Sequence, residues 1–172
     1  MLKMISVSII FLSISYMGYY YGETFKKRYR QLNSVLKSVM FLNNEIIYSN
    51  TPLPEALEYV SEKIEEPLKT TLKNTSIDLN EGKVSSVYEA FKKNYINSKE
   101  KFYLNKDDKN LIKDFLNGLG ESSVYGQDKL FNLTIENMKM NCISVEESSK
   151  KNSKMYKALG VCIGAMIAIF LF

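Results

Sequence analysis

Carboxylates, lysine amines and two thiols are the side chains that could do chemistry in this chain of 172 residues, which contains no histidine. The two thiols, Cys142 and Cys162, would lie ~30 Å apart on one continuous helix, which is too far for a disulfide bond. A histidine-based triad and the usual zinc sites need residues that the sequence lacks, since it also has no Cys-x-x-Cys pair. The residue types therefore favour binding over catalysis.

The carboxylates are most concentrated in one short stretch, which contains Glu55, Glu58, Glu62, Glu65 and Glu66. Adjacent acids such as Glu65 and Glu66, or Asp107 and Asp108, could bind a cation. On a surface so rich in lysine, a solvated helix face or a helix cap is the better interpretation. We expect Glu58, Glu62, Glu65 and Glu66 to form an acidic patch that attracts a basic partner; the alternative is that they are only a solvated face.

Three glycines near the middle of the second half are candidates for a nucleotide-binding loop. Gly118, Gly120 and Gly126 do not form the spacing Gly-x-Gly-x-x-Gly, no strand is predicted before them, and the chain has no Gly-Lys-Ser/Thr. We therefore interpret Gly118-Leu119-Gly120 as the end of a helix and the start of a turn.

Small residues at four-residue spacing occur near both ends of the chain, in Gly18-x-x-x-Gly22 and in Gly160-x-x-x-Gly164. Such patterns let membrane helices approach each other closely. Because these spacings are also common by chance, the sequence alone leaves real helix packing and coincidence both open.

The longest predicted helix covers residues 127–172. Apolar residues recur along it at alternating steps of four and three, in a stripe formed by Phe131, Ile135, Met138, Cys142, Val145, Ser149, Asn152, Tyr156, Leu159, Ile163, Met166 and Phe170. Ten of these twelve positions are apolar, which predicts a helix with one continuous apolar stripe. An intramolecular core is favoured over a docking groove.

Both ends of the chain have segments of membrane-spanning character. Residues 158–172 carry no charge, and residues 2–21 are apolar apart from Lys3 and small serines. Twenty helical residues span ~30 Å, about one hydrocarbon core, so we predict an N-terminal transmembrane anchor over residues 1–22 and a C-terminal transmembrane segment over 158–172. The second is short and needs snorkelling lysines or a locally thinned bilayer. A cleaved signal peptide is the alternative for the first, disfavoured because no Ala-x-Ala-like site follows it.

Charge is distributed in a way that predicts the topology. Residues 51–149 hold 13 lysines against 17 acids, a net charge of −4. Two basic juxtamembrane segments, residues 23–30 and 150–157, flank this acidic middle and contain Lys26, Lys27, Arg28, Arg30, Lys150, Lys151, Lys154 and Lys157. Because basic flanks remain in the cytoplasm, we expect a cytoplasmic helical domain over residues 23–157 with both termini outside. The acidic middle also lacks the basic footprint of a nucleic-acid-binding domain.

The first helix is predicted to continue beyond the membrane to about Tyr48. Its apolar face comprises Leu32, Val35, Val39, Leu42 and Ile46. Thr51 is predicted as the N-cap of the next helix and Pro52 as its first residue. We expect Leu53 and Leu57 to be buried against the returning long helix, so that Leu53→Asp destabilises the domain by several kcal/mol.

Shorter helices complete the predicted domain. One runs from Pro67 to about Leu79, another is capped by Ser85 or Ser86, and a third begins at Asn105–Asp108. No alternating strand pattern of useful length is present. The predicted fold class is all-α: a helical bundle built on two long antiparallel helices that each continue into a transmembrane span.

Four motifs spread over the whole chain form a combined pattern. The most specific is Thr51-Pro52-Leu53-x-Glu55-Ala56-Leu57, preceded by Glu45-Ile46-x-Tyr48. The others are Phe115-x-x-x-Leu119-Gly120 followed by Gln127, an N-terminal anchor that ends in Tyr and Gly before basic residues, and Lys157-x-Leu159-Gly160 opening the apolar tail. This pattern resembles the stage III sporulation protein AB family of endospore-forming bacteria. It departs from the family at Ser123, where the family usually has an aspartate, so any contact made by that acid is not carried over.

The resemblance implies a two-span protein of the outer forespore membrane whose domain lies in the mother-cell cytoplasm. It also implies a fold similar to the cytoplasmic helical domain of the platform proteins of type II secretion and type IV pilus systems. Such proteins organise a transenvelope assembly and meet its ATPase without catalysing a reaction, so no cofactor or metal is expected.

The residues and the resemblance agree on a non-enzymatic, membrane-anchored scaffold. The expected partners are membrane lipid, a cytoplasmic ATPase and other membrane subunits of the same complex, with homo-oligomerisation as a further option and no nucleic acid. The alternative is a two-span signal transducer that relays motion through the paired long helices. That role would need a sensing domain outside the membrane, for which we expect the termini to leave almost no chain.

Overall fold

The computed structural model describes the backbone of residues 2–82, 84–121 and 124–171, and the side chains of residues 4–82, 84–119 and 126–171. Among these residues every regular element is helical and no strand is present. The helices are α1 (Leu2–Asn43), α2 (Leu53–Glu62), α3 (Leu68–Asn80), α4 (Val87–Asn97), α5 (Lys106–Glu121) and α6 (Val124–Leu171), with a π-helical segment at Asn44–Tyr48 and a 3₁₀ turn at Lys99–Lys101. The predicted all-α class is confirmed.

The chain divides into two compact units. The terminal unit consists of Met1–Tyr29 and Ile143–Phe172, and the central unit of Arg30–Cys142. Helices α1 and α6 each contribute to both units. The predicted boundaries at residues 22 and 157 refer to a membrane surface and stay a prediction.

Within the terminal unit, α1 and α6 run antiparallel, as predicted. Gly164 lies against Phe11, Gly160 against Gly18, and Ser153 against Gly22. Residue numbers thus rise along α1 as they fall along α6. A Cβ built on Gly18 would lie only 2.6 Å from the Cα of Gly160. The small-residue patterns of the two helices therefore mark a real packing contact rather than a coincidence of spacing.

The predicted apolar stripe of α6 follows the face that contacts α1 as far as Tyr156, which stacks on Phe25, and departs from that face beyond it. The buried positions continue through Ser153, Gly160 and Gly164, whereas the predicted members Leu159, Ile163, Met166 and Phe170 are exposed. Alternating steps of three and four assume a period of 3.5 residues, and a straight helix of 3.6 drifts away from that stripe. The result places small residues between the helices and large apolar ones outside.

The central unit has its own hydrophobic core. The predicted face of α1 is confirmed at Leu32, Val35, Val39 and Leu42, which are buried, while Ile46 is half-buried. These residues share the core with large side chains of the other helices, including Leu57, Val60, Leu72, Phe91, Ile112, Phe131 and Met138. Helix α2 packs on α3, α3 on α4, and α4 on α5.

Two predicted helix starts are confirmed by their hydrogen bonds. The Ser86 hydroxyl accepts a bond from the Glu89 amide at 3.2 Å. At the start of α5 the Asp108 amide donates to Asn105 Oδ1 at 2.8 Å, and the Asn105 amide donates to Asp108 Oδ2 at 3.0 Å. This reciprocal arrangement satisfies two backbone donors that the first turn leaves free. Asp108 is fully buried, and its carboxylate is part of this helix cap, as favoured above.

Two local predictions are wrong. Pro52, rather than Thr51, occupies the N-cap of α2, and the helix begins at Leu53. Helix α5 does not stop at Gly118 but continues to Glu121. A Cβ on Gly118 would lie 2.9 Å from a methyl carbon of Leu130, so this glycine permits close packing of a neighbouring side chain instead of ending the helix.

Candidate interaction surfaces

The first part of the sequence motif forms a tight corner between α1 and α2. The π-helical segment carries Glu45 at its second position, and Asn50 adopts a left-handed conformation with φ of 53°. The Thr51 amide donates to the Glu45 carbonyl oxygen at 2.9 Å, and the Thr51 hydroxyl donates to Glu45 Oε2 at 3.1 Å. Glu45 and Thr51 therefore hold the corner together, which explains why the sequence pairs them.

The second part of the motif starts α2 and fixes it to α3. Pro52 presents its carbonyl to the Ala56 amide at 2.9 Å, and the Ser76 hydroxyl donates to the Pro54 carbonyl at 2.8 Å. Leu57 is fully buried, as predicted, but Leu53 is only half-buried. The reason is that Leu53 stands at the first position of the helix, where the chain is still at the surface.

Tyr48 is a motif residue that points away from the interior. Its side chain is 73% exposed at the end of the π-helical segment. Tyr59 on α2 is 43% exposed, with the Lys63 amine 3.7 Å from its ring centroid. An exposed tyrosine offers a large contact area at low entropic cost, so both rings are available to a partner.

The predicted acidic patch lies entirely on the surface. Glu58, Glu62, Glu65 and Glu66 are all exposed, and so is Glu55 in the first turn of α2. Spacings of three and four residues place Glu55, Glu58 and Glu62 along one side of the helix. Glu66 is held at the other end by the Thr70 hydroxyl, which donates to its carboxylate at 2.8 Å.

The opposite side of α2 is fixed by the core. Ala56, Leu57, Val60 and Ser61 are each fully buried. A helix anchored by four such positions presents its exposed carboxylates on a rigid support. This support applies to Glu58 and Glu62, whereas Glu65 and Glu66 follow the end of α2. We interpret the rigid part as the property that makes the acidic patch a candidate docking surface.

The second motif pair lies where α5 and α6 meet. Leu119 is buried, and the Gln127 side-chain amide donates to the Leu119 carbonyl oxygen at 3.4 Å. This hydrogen bond joins the end of α5 to the start of α6. Ser123 lies outside the described residues, and of Gly120 only its place in the backbone of α5 is described.

The two basic segments meet in the terminal unit through an acid that the sequence interpretation overlooked. Glu23 Oε1 lies 2.7 Å from Lys157 Nζ and 3.0 Å from Lys26 Nζ. These hydrogen bonds lower the pKa of Glu23 to about 2, and the Lys157 pKa is raised by the same contact. The sequence feature that could have indicated this ion cluster is a single glutamate, Glu23, next to several basic residues.

Aromatic rings surround this ion cluster. The Phe25 and Tyr156 rings stack with centroids 5.4 Å apart, and Tyr21 meets Tyr156 edge-on at 4.9 Å. The Lys157 amine lies 4.0 Å from the centroid of the Tyr19 ring. Ring stacking and cation–π contact both stabilise such a cluster. The remaining basic residues follow on α1 and α6, where Lys150 pairs with Glu146 at 2.6 Å.

The titratable groups give no sign of a metal or thiol site in the part of the chain that the structure describes. No group of three or more His, Cys, Asp or Glu residues is placed to hold a metal ion there. Burial, together with the nearby Asp108 carboxylate, raises the pKa of the Cys142 thiol to about 11. That thiol is therefore protonated at neutral pH, and a protonated thiol is a poor nucleophile.

The family model for stage III sporulation protein AB matches residues 3–172. The chain belongs to this family. A member from Bacillus subtilis (strain 168), stage III sporulation protein AB, is 25% identical over 171 residues, which is 99% of each chain. A solved structure of a stage III sporulation protein AB superposes with a TM-score of 0.65 at 22% identity, covering 72% of this chain and 97% of its own. It supports the helical fold.

Two helices of the family member described here are long and apolar enough to cross a membrane. They are Met4–Tyr48 and Gly126–Leu171, and the most apolar windows within them are 0% and 11% buried. A core helix of a soluble protein would bury so apolar a segment. These exposed apolar surfaces therefore favour contact with lipid. Together with the family, they indicate a membrane protein of sporulation.

Proposed function

We propose that this protein is a non-enzymatic, two-span scaffold of the transenvelope complex between mother cell and forespore. In this proposal α1 and α6 anchor it in the outer forespore membrane, and the central unit lies in the mother-cell cytoplasm. The acidic patch formed by Glu58, Glu62, Glu65 and Glu66 docks the cytoplasmic ATPase of the complex. Family membership supports the sporulation role, and the charges and exposure of the side chains support the rest.

The anchoring role rests on how residues are sorted in the terminal unit. Met17, Met166 and Phe170 are 72%, 63% and 91% exposed, whereas Gly160 and Gly164 are buried between the helices. Water would favour the reverse arrangement, but in lipid only small residues gain from close helix contact. The basic segments that follow α1's apolar stretch and precede that of α6 then face the anionic cytoplasmic leaflet.

The observation that carries the docking role is the rigid, acidic outer side of α2. A row of exposed carboxylates on a helix with four buried supporting residues raises the rate at which a basic surface associates and suppresses acidic competitors. Tyr48 and Tyr59 add aromatic area on the π-helical segment and on α2. Aromatic residues are over-represented at the centres of protein interfaces.

The test is binding of the purified ATPase of the same complex to the full chain in nanodiscs of zwitterionic lipid. The variant carries Glu58→Lys, Glu62→Lys and Glu65→Lys. Its matched control carries Asp114→Lys, Asp128→Lys and Glu136→Lys, three exposed acids of α5 and α6 that give the same change of net charge. We expect about tenfold weaker binding for the patch variant only, and wild-type binding that weakens as salt rises.

Circular dichroism of both variants checks that the helices are intact. If the patch variant and its control bind the ATPase as tightly as the wild type, the contact lies elsewhere. The region between Leu119 and Gln127 would then be the next surface to test.

A further inference from the structure

A groove of about 370 Å³ lies between α4 and α5 in the central unit. Its floor is apolar and aromatic, formed mainly by Phe91, Tyr95 and Ile112. Phe91 and Ile112 are buried core residues, while Ile96 lines the same groove and is 58% exposed. The volume falls within the range of functional binding clefts, and no part of the family pattern described above includes these residues.

Every charged side chain that lines the groove is a lysine: Lys92, Lys99, Lys109 and Lys113. The Lys92 and Lys113 amines lie 6.0 and 5.9 Å from the Tyr88 ring centroid, and the Lys109 amine lies 5.7 Å from that of Tyr95. The cations thus border the aromatic floor closely. This is unusual for its surroundings, because residues 51–149 as a whole carry a net charge of −4.

An apolar floor with a charged border matches the anatomy of a protein interface, in which apolar contacts lie at the centre and polar ones at the edge. A groove between two neighbouring helices is also the usual receptor for an amphipathic helix. A small free anion would meet the lysines but leave the floor and Ile96 in water. Charge complementarity with four lysines requires carboxylates on the segment that fills the groove.

We infer that the groove between α4 and α5 binds an acidic amphipathic helix of a protein partner. The apolar side of that helix covers Phe91, Tyr95 and Ile96, and its carboxylates pair with the bordering lysines. Since α3 packs between α2 and α4, this basic groove is separate from the acidic patch on α2. The central unit therefore offers two surfaces of opposite charge, which lets one scaffold hold two different partners.

The test uses the full chain in nanodiscs of zwitterionic lipid and a fluorescent amphipathic peptide about as long as α4, with a leucine face flanked by glutamates. A second peptide with lysines in place of the glutamates serves as the probe of charge. The groove variant carries Lys92→Glu, Lys99→Glu and Lys113→Glu. Its matched control carries Lys69→Glu, Lys73→Glu and Lys139→Glu, all exposed and outside the groove. Fluorescence anisotropy measures the affinity.

We expect the wild type to bind the glutamate peptide and not the lysine peptide. Binding should be about tenfold weaker in the groove variant, unchanged in its control, and weaker at high salt. Ile96→Ser tests the apolar floor and should weaken binding several-fold, while Ile77→Ser, at an isoleucine of α3 that is also exposed, should not. The basic juxtamembrane segments contribute the same background to every variant.

Three results would overturn the inference. Equal losses in the groove variant and its lysine control would show attraction to net charge alone. Loss of self-association in analytical ultracentrifugation, with no peptide binding, would identify a second copy of this chain as the occupant. Groove-dependent binding to phosphatidylglycerol vesicles, again without peptide binding, would identify a lipid surface. Each result leaves the ATPase test on α2 unaffected, so the two proposals fail independently.

Discussion

Gly18 of α1 and Gly160 of α6 face each other so closely that a Cβ on Gly18 would lie 2.6 Å from the Cα of Gly160 and 2.9 Å from the carbonyl oxygen of Tyr156. Those neighbours are backbone atoms, which cannot turn aside as a flexible side chain can. The two apolar helices are therefore held together by backbone contact over this stretch, as is typical of membrane helices with small residues at their interface.

The first prediction is that Gly18→Ile separates the two helices. The branched side chain has no space between the backbones, so we expect a lower thermal denaturation midpoint for the full chain in detergent.

Met17→Ile is the matched control, because Met17 adjoins Gly18 and is 72% exposed. It should leave the midpoint unchanged. Equal behaviour of the two variants would mean that the helices do not depend on this contact.

The second prediction concerns pH and the ion cluster around Glu23. The Lys157 and Lys26 amines lower the pKa of Glu23 to about 2 from its ordinary 4.5. A lowered carboxyl pKa stabilises the folded chain fully above pH 4.5 and loses that contribution as the pH falls from 4.5 to about 2. Glu23→Gln should accordingly lower the denaturation midpoint at neutral pH, with the difference from wild type shrinking through this window.

Glu147→Gln controls for the loss of one exposed carboxylate on α6. Its difference from the wild type should be small at every pH. A constant gap for Glu23→Gln between pH 7 and pH 2 would show that the cluster contributes by packing rather than by charge.

Predictions from the sequence were correct for helices that face water on one side and a core on the other. In α1 the face from Leu32 to Leu42 was correct, and in α6 the stripe from Phe131 to Val145 was correct. In that environment the hydrophobic effect sorts apolar residues inward, and periodicity is a reliable guide. The Ser86 and Asn105 caps were also predictable, because their hydrogen bonds are local in sequence.

The errors arose where that assumption does not hold. Along the second half of α6, Leu159 and Phe170 are exposed while Gly160 and Gly164 are buried. This is the sorting expected where lipid removes the penalty for exposing large apolar residues and close packing selects small ones. The lysine-bordered groove was not foreseen, because α4 and α5 meet only through the tertiary fold. The acidic patch was foreseen because its residues are close together in the sequence, but its role depends on a partner and stays a prediction.

The third prediction compares two leucines of the Thr51–Leu57 motif. Leu57 is fully buried and Leu53 half-buried, so the two should differ in cost despite equal chemistry. Leu57→Ala should lower the free energy of unfolding of the central unit by about 3 kcal/mol through lost burial and a cavity. Leu53→Ala should cost about 1 kcal/mol, since much of its surface already meets water. Denaturant unfolding followed by circular dichroism measures both costs, because the free energy of unfolding falls linearly with denaturant concentration and can be extrapolated to water.

The earlier expectation for Leu53→Asp changes accordingly. A half-buried position lets a carboxylate reach water, so Leu53→Asp should destabilise less than Leu57→Asp. If Leu53→Asp proves the more damaging of the two, the half-buried leucine is covered in the native assembly, most directly by a partner bound at the corner near Tyr48.

The last prediction is the topology on which the partner assignments depend. The basic segments around Arg28 and Lys154 should hold the central unit in the cytoplasm. An alkaline phosphatase fused after Phe172 should then be active outside the cytoplasm, and a cytoplasm-dependent fluorescent reporter inserted at Asn80 should be active inside. Asn80 suits an insertion because it is exposed at the end of α3, and nearby Gly82 has a left-handed φ of +63° with open space around it.

Moving the phosphatase to Asn80 and the cytoplasmic reporter to the C-terminus provides the reciprocal control, and both should be inactive. Replacing Lys150, Lys151, Lys154 and Lys157 by glutamine should weaken this orientation, because positive charge close to the apolar segment sets it. The reverse pattern of activities would place the acidic patch and the lysine-bordered groove outside the cytoplasm. The acidic patch could then not meet a cytoplasmic ATPase, so that docking proposal would have to be abandoned, whereas the partner of the groove would have to be a protein outside the cytoplasm.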